Sequence, residues 1–199
     1  MHVISFEGFE YSGKSTQIAL LKKYFSKQKI VSTFTREPGG NKDLEKIRKI
    51  ILQSDFDNLS LILFFFASRF SLLSSLKSNG IVVFDRFFDS TYAYQNYTSR
   101  DRELILNLIK QVHKKYIPRL TFYFKMNKKT LLERKNKRGA QNKFDKKYLG
   151  EFSRIQKNYN DLSKIKINKR IFITIDASQS KELIHQEIIE NLKKWKLIK

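Results

Sequence analysis

The sequence predicts an α/β fold, an open and doubly wound sheet of five parallel strands. Three observations carry this. Five short apolar runs alternate with stretches of helical period, with no linker or repeat between them. The third run, Ile81-Val82-Val83-Phe84, is apolar without a break, as in a strand covered on both faces. A glycine-bounded loop, Gly8 to Ser15, falls between the first strand and the first helix. In such a sheet, ligands bind beyond the carboxyl ends of the strands.

The elements follow in order. Val3 to Phe6 is the first strand, and Lys14 to Lys27 a helix with Ile18, Leu21 and Phe25 on one side. Ile30 to Thr35 reads as the second strand, ended by the turn Pro38-Gly39-Gly40. Asp43 to Gln53 and Leu59 to Leu76 read as helices, and Ile81 to Phe84 as the third strand. Helices near 89–96 and 101–115 lead to a strand at Leu120 to Phe124. A helix from Lys128 enters a polar segment, 136–147, and another helix runs to about Leu162. Ile171 to Ile175 is the last strand and Lys181 to Trp195 the closing helix. The 199 residues fit a single domain, 1–199, with an ample core.

Composition removes several classes of function. Apolar residues make up 41%, which excludes intrinsic disorder. There is no cysteine, so disulfides, thiolate metal sites and thiol catalysis are out. His2, His113 and His185 are far apart and show no metal-ligand spacing. The net charge of +21 invites nucleic acid as a partner. Only 11 of the 40 cations are Arg, however, and the wealth of Lys, Ile, Asn and Phe fits compositional bias on a solvated surface. There is no signal segment, and the longest apolar block, Leu61 to Ala67, is too short for a bilayer. The expectation is a cytoplasmic protein without a membrane.

Gly8-Phe9-Glu10-Tyr11-Ser12-Gly13-Lys14-Ser15 matches G-x-x-x-x-G-K-[ST]. Its glycines let successive N–H groups turn inward around a phosphate, and the next helix adds its positive end. Lys14 would reach the β- and γ-phosphates, and the Ser15 hydroxyl would ligate Mg²⁺. Thr16 would contact the α-phosphate or serve as a cap. Glu10 repels a polyphosphate and needs a sugar hydroxyl or metal-bound water to explain it; otherwise it is a solvated loop acid. Asp85-Arg86 follows the third strand, so the Asp can hold Mg²⁺ through water and the Arg can grip a phosphate bidentately. Alone, the two would pass for a surface ion pair. Arg36 ends the second strand. Phe65 and Arg69 are four apart on one helix, spaced to stack on a base and donate to its edge. Without the other motifs Phe65 would read as core and Arg69 as surface.

Together these stretches resemble the bacterial thymidylate kinases. The resemblance rests on Phe6-Glu7-Gly8, the loop with its acid, Thr35 to Gly40, Leu63 to Arg69, Asp85-Arg86, Ser90 to Gln95, Leu132 to Asp145 and Ile175 to Gln179. It spans nearly the whole chain. It implies the P-loop nucleoside-monophosphate kinase fold with a small basic lid at about 134–147, and ATP-dependent phosphorylation of dTMP with Mg²⁺. Gly8, Tyr11, Ser12, Gly13, Lys14, Ser15 and Thr16 would bind ATP, and Ser15 and Asp85 the metal. Phe65 would stack on thymine and Arg69 donate to its O4. Arg86 and Arg36 would hold the acceptor phosphate and Glu10 the sugar 3′-hydroxyl. Thr91, Tyr94 and Gln95 would line the nucleoside pocket, with Tyr94 opposing a 2′-hydroxyl. Arg138 and Arg134 would be the lid arginines, catalytic beside Lys14, Arg86 and Glu10. A homodimer is implied, with the 59–76 helix pairing across a two-fold axis.

Departures from the family pattern are Tyr11, where Gly or Arg is usual, Asn41 in place of Thr, and Asn136, Asn142 and Lys143 in the lid. The rival readings are another P-loop nucleoside or nucleoside-monophosphate kinase, and a basic nucleic-acid-binding protein on the same fold.

Overall fold

The computed structural model describes residues 1–138 and 148–199, without the Arg138 side chain. Five parallel strands, β1 (His2–Gly8), β2 (Ser32–Arg36), β3 (Ile81–Asp85), β4 (Leu120–Lys125) and β5 (Ile171–Asp176), form one sheet in the order β2-β3-β1-β4-β5. Eight α-helices among the described residues connect them: α1 (Lys14–Lys27), α2 (Lys42–Gln53), α3 (Asn58–Ser75), α4 (Phe88–Gln95), α5 (Ser99–Gln111), α6 (Lys128–Arg138), α7 (Phe152–Ser163) and α8 (Lys181–Lys194). The expected sheet is present.

Burial follows strand position. β1, in the centre, is buried from Val3 onward, whereas edge strands β2 and β5 are half-exposed along most of their length. Side chains of β1 alternate between two cores. Ile4 and Phe6 join Phe122, Phe124, Leu21, Phe25, Ile155 and Ile188 on one face. Val3 joins Val82, Phe84, Phe66, Phe87 and Ile105 on the other. Ser5 and Glu7 share the parity of Val3, so both are buried polar groups; the Ser5 hydroxyl pairs with that of Thr121 at 3.0 Å.

Several boundaries differ from the sequence reading. β1 continues through Glu7 and Gly8 because both pair with β4, opposite Tyr123 and Phe124. β2 begins at Ser32, since Val31 spends its carbonyl on the Ile81 N–H at the strand's entry. The helix expected at 101–115 starts at Ser99, behind a reciprocal Thr98–Asp101 capping box. It stops at Gln111, where Val112 turns extended, and Lys114–Tyr116 form a separate 3₁₀ turn. α3 spans 18 residues and is long and apolar enough to cross a bilayer by composition. Its Ile62, Phe66, Leu72 and Leu73 are instead buried in the second core. Asn41 caps α2, accepting the Leu44 N–H at 2.9 Å; a Thr side chain does the same work, which explains that departure.

Gly80, just before β3, leaves no room for a side chain. A Cβ there would lie 1.9 Å from the Val31 carbonyl oxygen, which anchors β3 to the start of β2. Gly80→Ala is expected to cost about 3 kcal/mol in urea unfolding, the upper range for overpacking. A loss near zero would contradict this packing.

Candidate active site

Two clefts flank the loop that follows β1. The loop wraps through left-handed backbone at Tyr11 (φ 64) and Gly13 (φ 92). The first value suits a glycine, one of the two residues usual at that position: a side chain there costs about 1–2 kcal/mol. Tyr11 offsets the strain by burying its ring in the first core. At Gly8 a Cβ would come within 2.7 Å of the Phe124 carbonyl oxygen. Lys14 is buried and donates to the carbonyls of Gly8 and Phe9 at 2.9 and 2.8 Å and to the Ser12 hydroxyl at 3.3 Å. Burial, aided by the Arg86 charge, lowers its pKa to about 8, against the pull of Asp85, Glu10 and Glu7.

The outer cleft is lined by Tyr11, Ser12, Gly13 and Thr16 of the loop and first helical turn. Arg134, Lys137, Gln179 and Lys181 face them. Arg134 ties the loop to the end of β5, donating to the carbonyls of Tyr11 (3.1 Å) and Ala177 (2.5 Å). The rest of the expected lid, 139–147 with the Arg138 side chain, lies outside the described residues.

The inner cleft encloses about 620 Å³ between the atoms, part of it open to solvent. It gathers Glu10, Phe65, Arg69, Arg86, Thr91, Tyr94 and Gln95. Arg69 is fully buried: its Nε donates to Glu37 Oε2 at 2.7 Å and its Nη2 to the Thr91 hydroxyl at 3.0 Å. Nη1 has no protein acceptor among the described residues. Burial raises the Glu37 carboxyl to about 7, against the pull of Arg69.

Arg86 also has left-handed backbone (φ 68). It donates to Glu10 (2.6 Å), the Ser90 hydroxyl (3.0 Å) and Tyr94 (3.4 Å), while the Tyr94 hydroxyl donates to the other Glu10 oxygen at 2.7 Å. The loop acid is therefore not solvated; it lies against a guanidinium and a phenol. Below them, buried Glu7 accepts the Phe87 N–H and the Ser90 hydroxyl, both at 2.6 Å. Burial and the nearby Asp89 raise its pKa to about 8.

Arg36 departs from its expected place. Its side chain is 53% exposed and bound by Nε and Nη2 to both Glu45 oxygens at 3.0 and 2.7 Å, outside the cleft lining. The end of an edge strand points it at the first turn of α2. The third cleft guanidinium is Arg48, held by the Pro38 carbonyl at 2.8 Å. Sequence reasoning passed over it, although an Arg one turn from Leu44 and Leu52 breaks the inward stripe of α2. Glu37 was signalled only by its place beside Arg36 and Pro38.

A metal site fits the donors present. The Ser15 hydroxyl stands exposed in the first turn of α1, and Asp85 ends β3 near enough to Lys14 to pull on its charge. No group of three or more His, Cys, Asp or Glu that could by itself hold a metal ion lies among the described residues. One hydroxyl and one carboxylate beside substrate phosphates is how Mg²⁺ is commonly held.

Comparison with known proteins decides the family. The thymidylate kinase family profile matches residues 6–188. The chain belongs to the thymidylate kinase family. It is 37% identical over 196 residues to a thymidylate kinase of Rickettsia bellii, covering 95% of this chain and 94% of that one. It is 39% identical over 203 residues to that of Aster yellows witches'-broom phytoplasma, 96% of each being covered. The crystal structure of thymidylate kinase from Ehrlichia chaffeensis superposes with a TM-score of 0.71 at 29% identity, covering 96% of this chain and 98% of that one. Membership makes the chain an ATP-dependent phosphotransferase of nucleotide biosynthesis, converting dTMP to dTDP on a P-loop kinase fold.

The lowered pKa of Lys14 has a measurable consequence. A phosphate ligand favours the ammonium, so binding above pH 8 must first restore a proton. ATP affinity is expected to be level from pH 7 to 8 and then to fall by up to about tenfold per unit. Calorimetry between pH 7 and 9.5 should show proton uptake at the upper end; affinity unchanged to pH 9.5 would contradict a lowered pKa.

Proposed function

We propose that the two clefts divide the reaction, with dTMP in the inner cleft and ATP along the loop and outer cleft. The observation that carries the substrate assignment is the free Nη1 of buried Arg69 in a cleft also lined by Phe65 and Gln95. Thymine offers a carbonyl oxygen at C4 beside an N3–H, and a fixed donor next to an amide matches that edge. Phe65 supplies a ring for stacking. Glu10 and Tyr94 meet the sugar, where the bulk of Tyr94 opposes a 2′-hydroxyl.

Arg86 and Arg48 hold the acceptor phosphate, and Arg48 takes the place expected of Arg36. A phosphate monoester has its second pKa near ~6 and is mostly dianionic at neutral pH, so transfer needs no general base. It needs cations that offset repulsion between two anions, and in-line positioning. Lys14 moves its three donors from the loop carbonyls and Ser12 to phosphate oxygens. The backbone N–H groups of Ser12 to Thr16 complete the cradle. Arg134 bridges the loop to the strand edge, and the lid with Arg138 completes the charge around the transferred group. Ser15 and Asp85 would hold Mg²⁺, which would supply charge neutralisation at the phosphates.

The whole of 1–199 acts as one cytoplasmic domain. A homodimer forms through α3, whose Leu59, Leu63 and Phe64 remain exposed while Leu61, Ile62, Phe66, Leu72 and Leu73 are buried.

A panel of dTMP, dUMP, dCMP, dGMP and AMP with ATP and Mg²⁺ tests the substrate. The expected result is dTMP first; AMP or dCMP outcompeting it overturns the assignment. Lys14→Ala should abolish turnover. Arg69→Ala should raise the dTMP KM by about 100-fold or more, since it removes a charged donor and strands Glu37. Arg86→Ala should lower kcat more than Arg36→Ala, and equal losses would place Arg36 back at the phosphate.

A further inference from the structure

Glu7 is fully buried and lies outside the lining of either cleft. Burial and the neighbouring Asp89 disfavour its charge. Its two oxygens reach from β1 to the start of α4. Oε1 accepts the Phe87 N–H and Oε2 meets the Ser90 hydroxyl, each at 2.6 Å. Those two residues are the N-cap and the third residue of α4, and Phe87 has no side-chain oxygen with which to cap the helix. Glu7 supplies the missing acceptor from 80 residues away, at the end where a helix leaves its N–H groups unpaired.

Both contacts converge on Arg86. Its own N–H donates to the Phe6 carbonyl at 3.0 Å, and the next N–H, that of Phe87, donates to Glu7. Consecutive residues of β1 thus hold the amides on either side of the left-handed backbone at Arg86. A residue other than glycine stays in that conformation only where its surroundings over-determine it. The side chain is held from the same source. Arg86 Nη1 donates to Ser90 Oγ at 3.0 Å, and Ser90 Oγ is bonded to Glu7 and, at 3.0 Å, to the Tyr159 hydroxyl. One proton and two lone pairs are thereby used in either protonation state of Glu7, so the Ser90 hydroxyl serves the protein and not a ligand. On its other edge Arg86 meets Glu10 through Nη2. Glu10 lines the cleft and has the sugar to bind, so that hold changes when a nucleotide enters. The hold through Ser90 does not.

We propose that Glu7 is a positioning residue for phosphate recognition: through the Phe87 N–H it fixes the backbone of Arg86, and through Ser90 it fixes the guanidinium, so that the fork is aimed before the nucleotide arrives. This rests on the reading that dTMP places its phosphate at Arg86. A planar fork grips a phosphate bidentately only when its plane is set. A fork free to turn loses that geometry, while the contacts to base and sugar, made by other residues, remain.

The test measures, by calorimetry, the dissociation constants of dTMP and of thymidine, which differ only in the phosphate. The proteins are wild type, Glu7→Met, Ser90→Ala and Arg86→Ala; Met keeps the length of Glu and removes both oxygens. In Glu7→Met and Ser90→Ala the preference for dTMP over thymidine is expected to narrow by about tenfold, the loss of one hydrogen bond to a charged group, with thymidine affinity unchanged. Turnover of dTMP should fall with it, while the KM for ATP stays. A folded Glu7→Met enzyme with the wild-type preference overturns the proposal. So does one that loses dTMP and thymidine in equal proportion, the mark of a structural role alone. If Glu7→Met does not fold, Ser90→Ala decides by the same two outcomes. Arg86→Ala checks the place of the phosphate: if it leaves the preference unchanged, the reading that puts the phosphate there fails. A preference that Arg86→Ala removes and the other two variants leave intact overturns the role of Glu7 instead.

Discussion

The buried ion pair between Arg69 and Glu37 is the constraint on which the inner cleft depends. It joins α3 to the segment following β2. Neither side chain is more than 5% exposed. Removing a guanidinium from water is expensive, and a carboxylate at 2.7 Å with a hydroxyl beyond it offsets only part of that cost. Such a pair contributes little net stability. What it supplies is position: a charged donor fixed in an apolar wall between the rings of Phe66 and Phe87, with one N–H left over. Whatever enters the cleft meets a cation whose desolvation was completed during folding.

The same logic governs the opposite wall with signs exchanged. An anionic substrate needs cations, and cations packed together repel. Arg86 is held beside Glu10, Tyr94 and Ser90, and buried Glu7 braces the backbone that follows it. Asp89, on the next turn, takes Arg170 from the start of β5 as its buried partner. Three carboxylates, Glu7, Glu10 and Asp89, thus stand behind or beside the Arg86 guanidinium. Glu10 is the least buried of them, at 18%, and it is the one that touches the cleft.

Legibility in the sequence followed the range of the interactions. The phosphate loop, the five strands and the pairing of Phe65 with Arg69 are local patterns, set by spacing of three to eight residues. All lie where the spacing put them. Arg36 and Arg48 show the limit. Both flank the same turn, and choosing between them requires the direction in which an edge strand releases its last side chain. Tyr148 carried no signal at all, because its partner Gln95 is 53 residues away. Tyr11 and Asn41 looked like departures in the sequence. Each is explained by backbone: a left-handed φ offset by ring burial, and a helix cap that accepts one N–H.

The charge of +21 divides along the chemistry of its two cations. Lys14 is the one buried Lys among the described residues, and it lies at the phosphate loop. Arginines instead occupy the inner cleft at 48, 69 and 86 and brace it at 154 and 170. A planar fork can satisfy two acceptors and still offer a third N–H to a ligand, whereas an ammonium on a flexible stem favours water. The biased use of Lys therefore falls on the surface, where each residue is solvated and mutual repulsion is screened over ~8 Å at physiological salt. The function-bearing positive charge is the small share that folding has desolvated, and every guanidinium of the inner cleft is held by a carboxylate or a carbonyl before a substrate arrives.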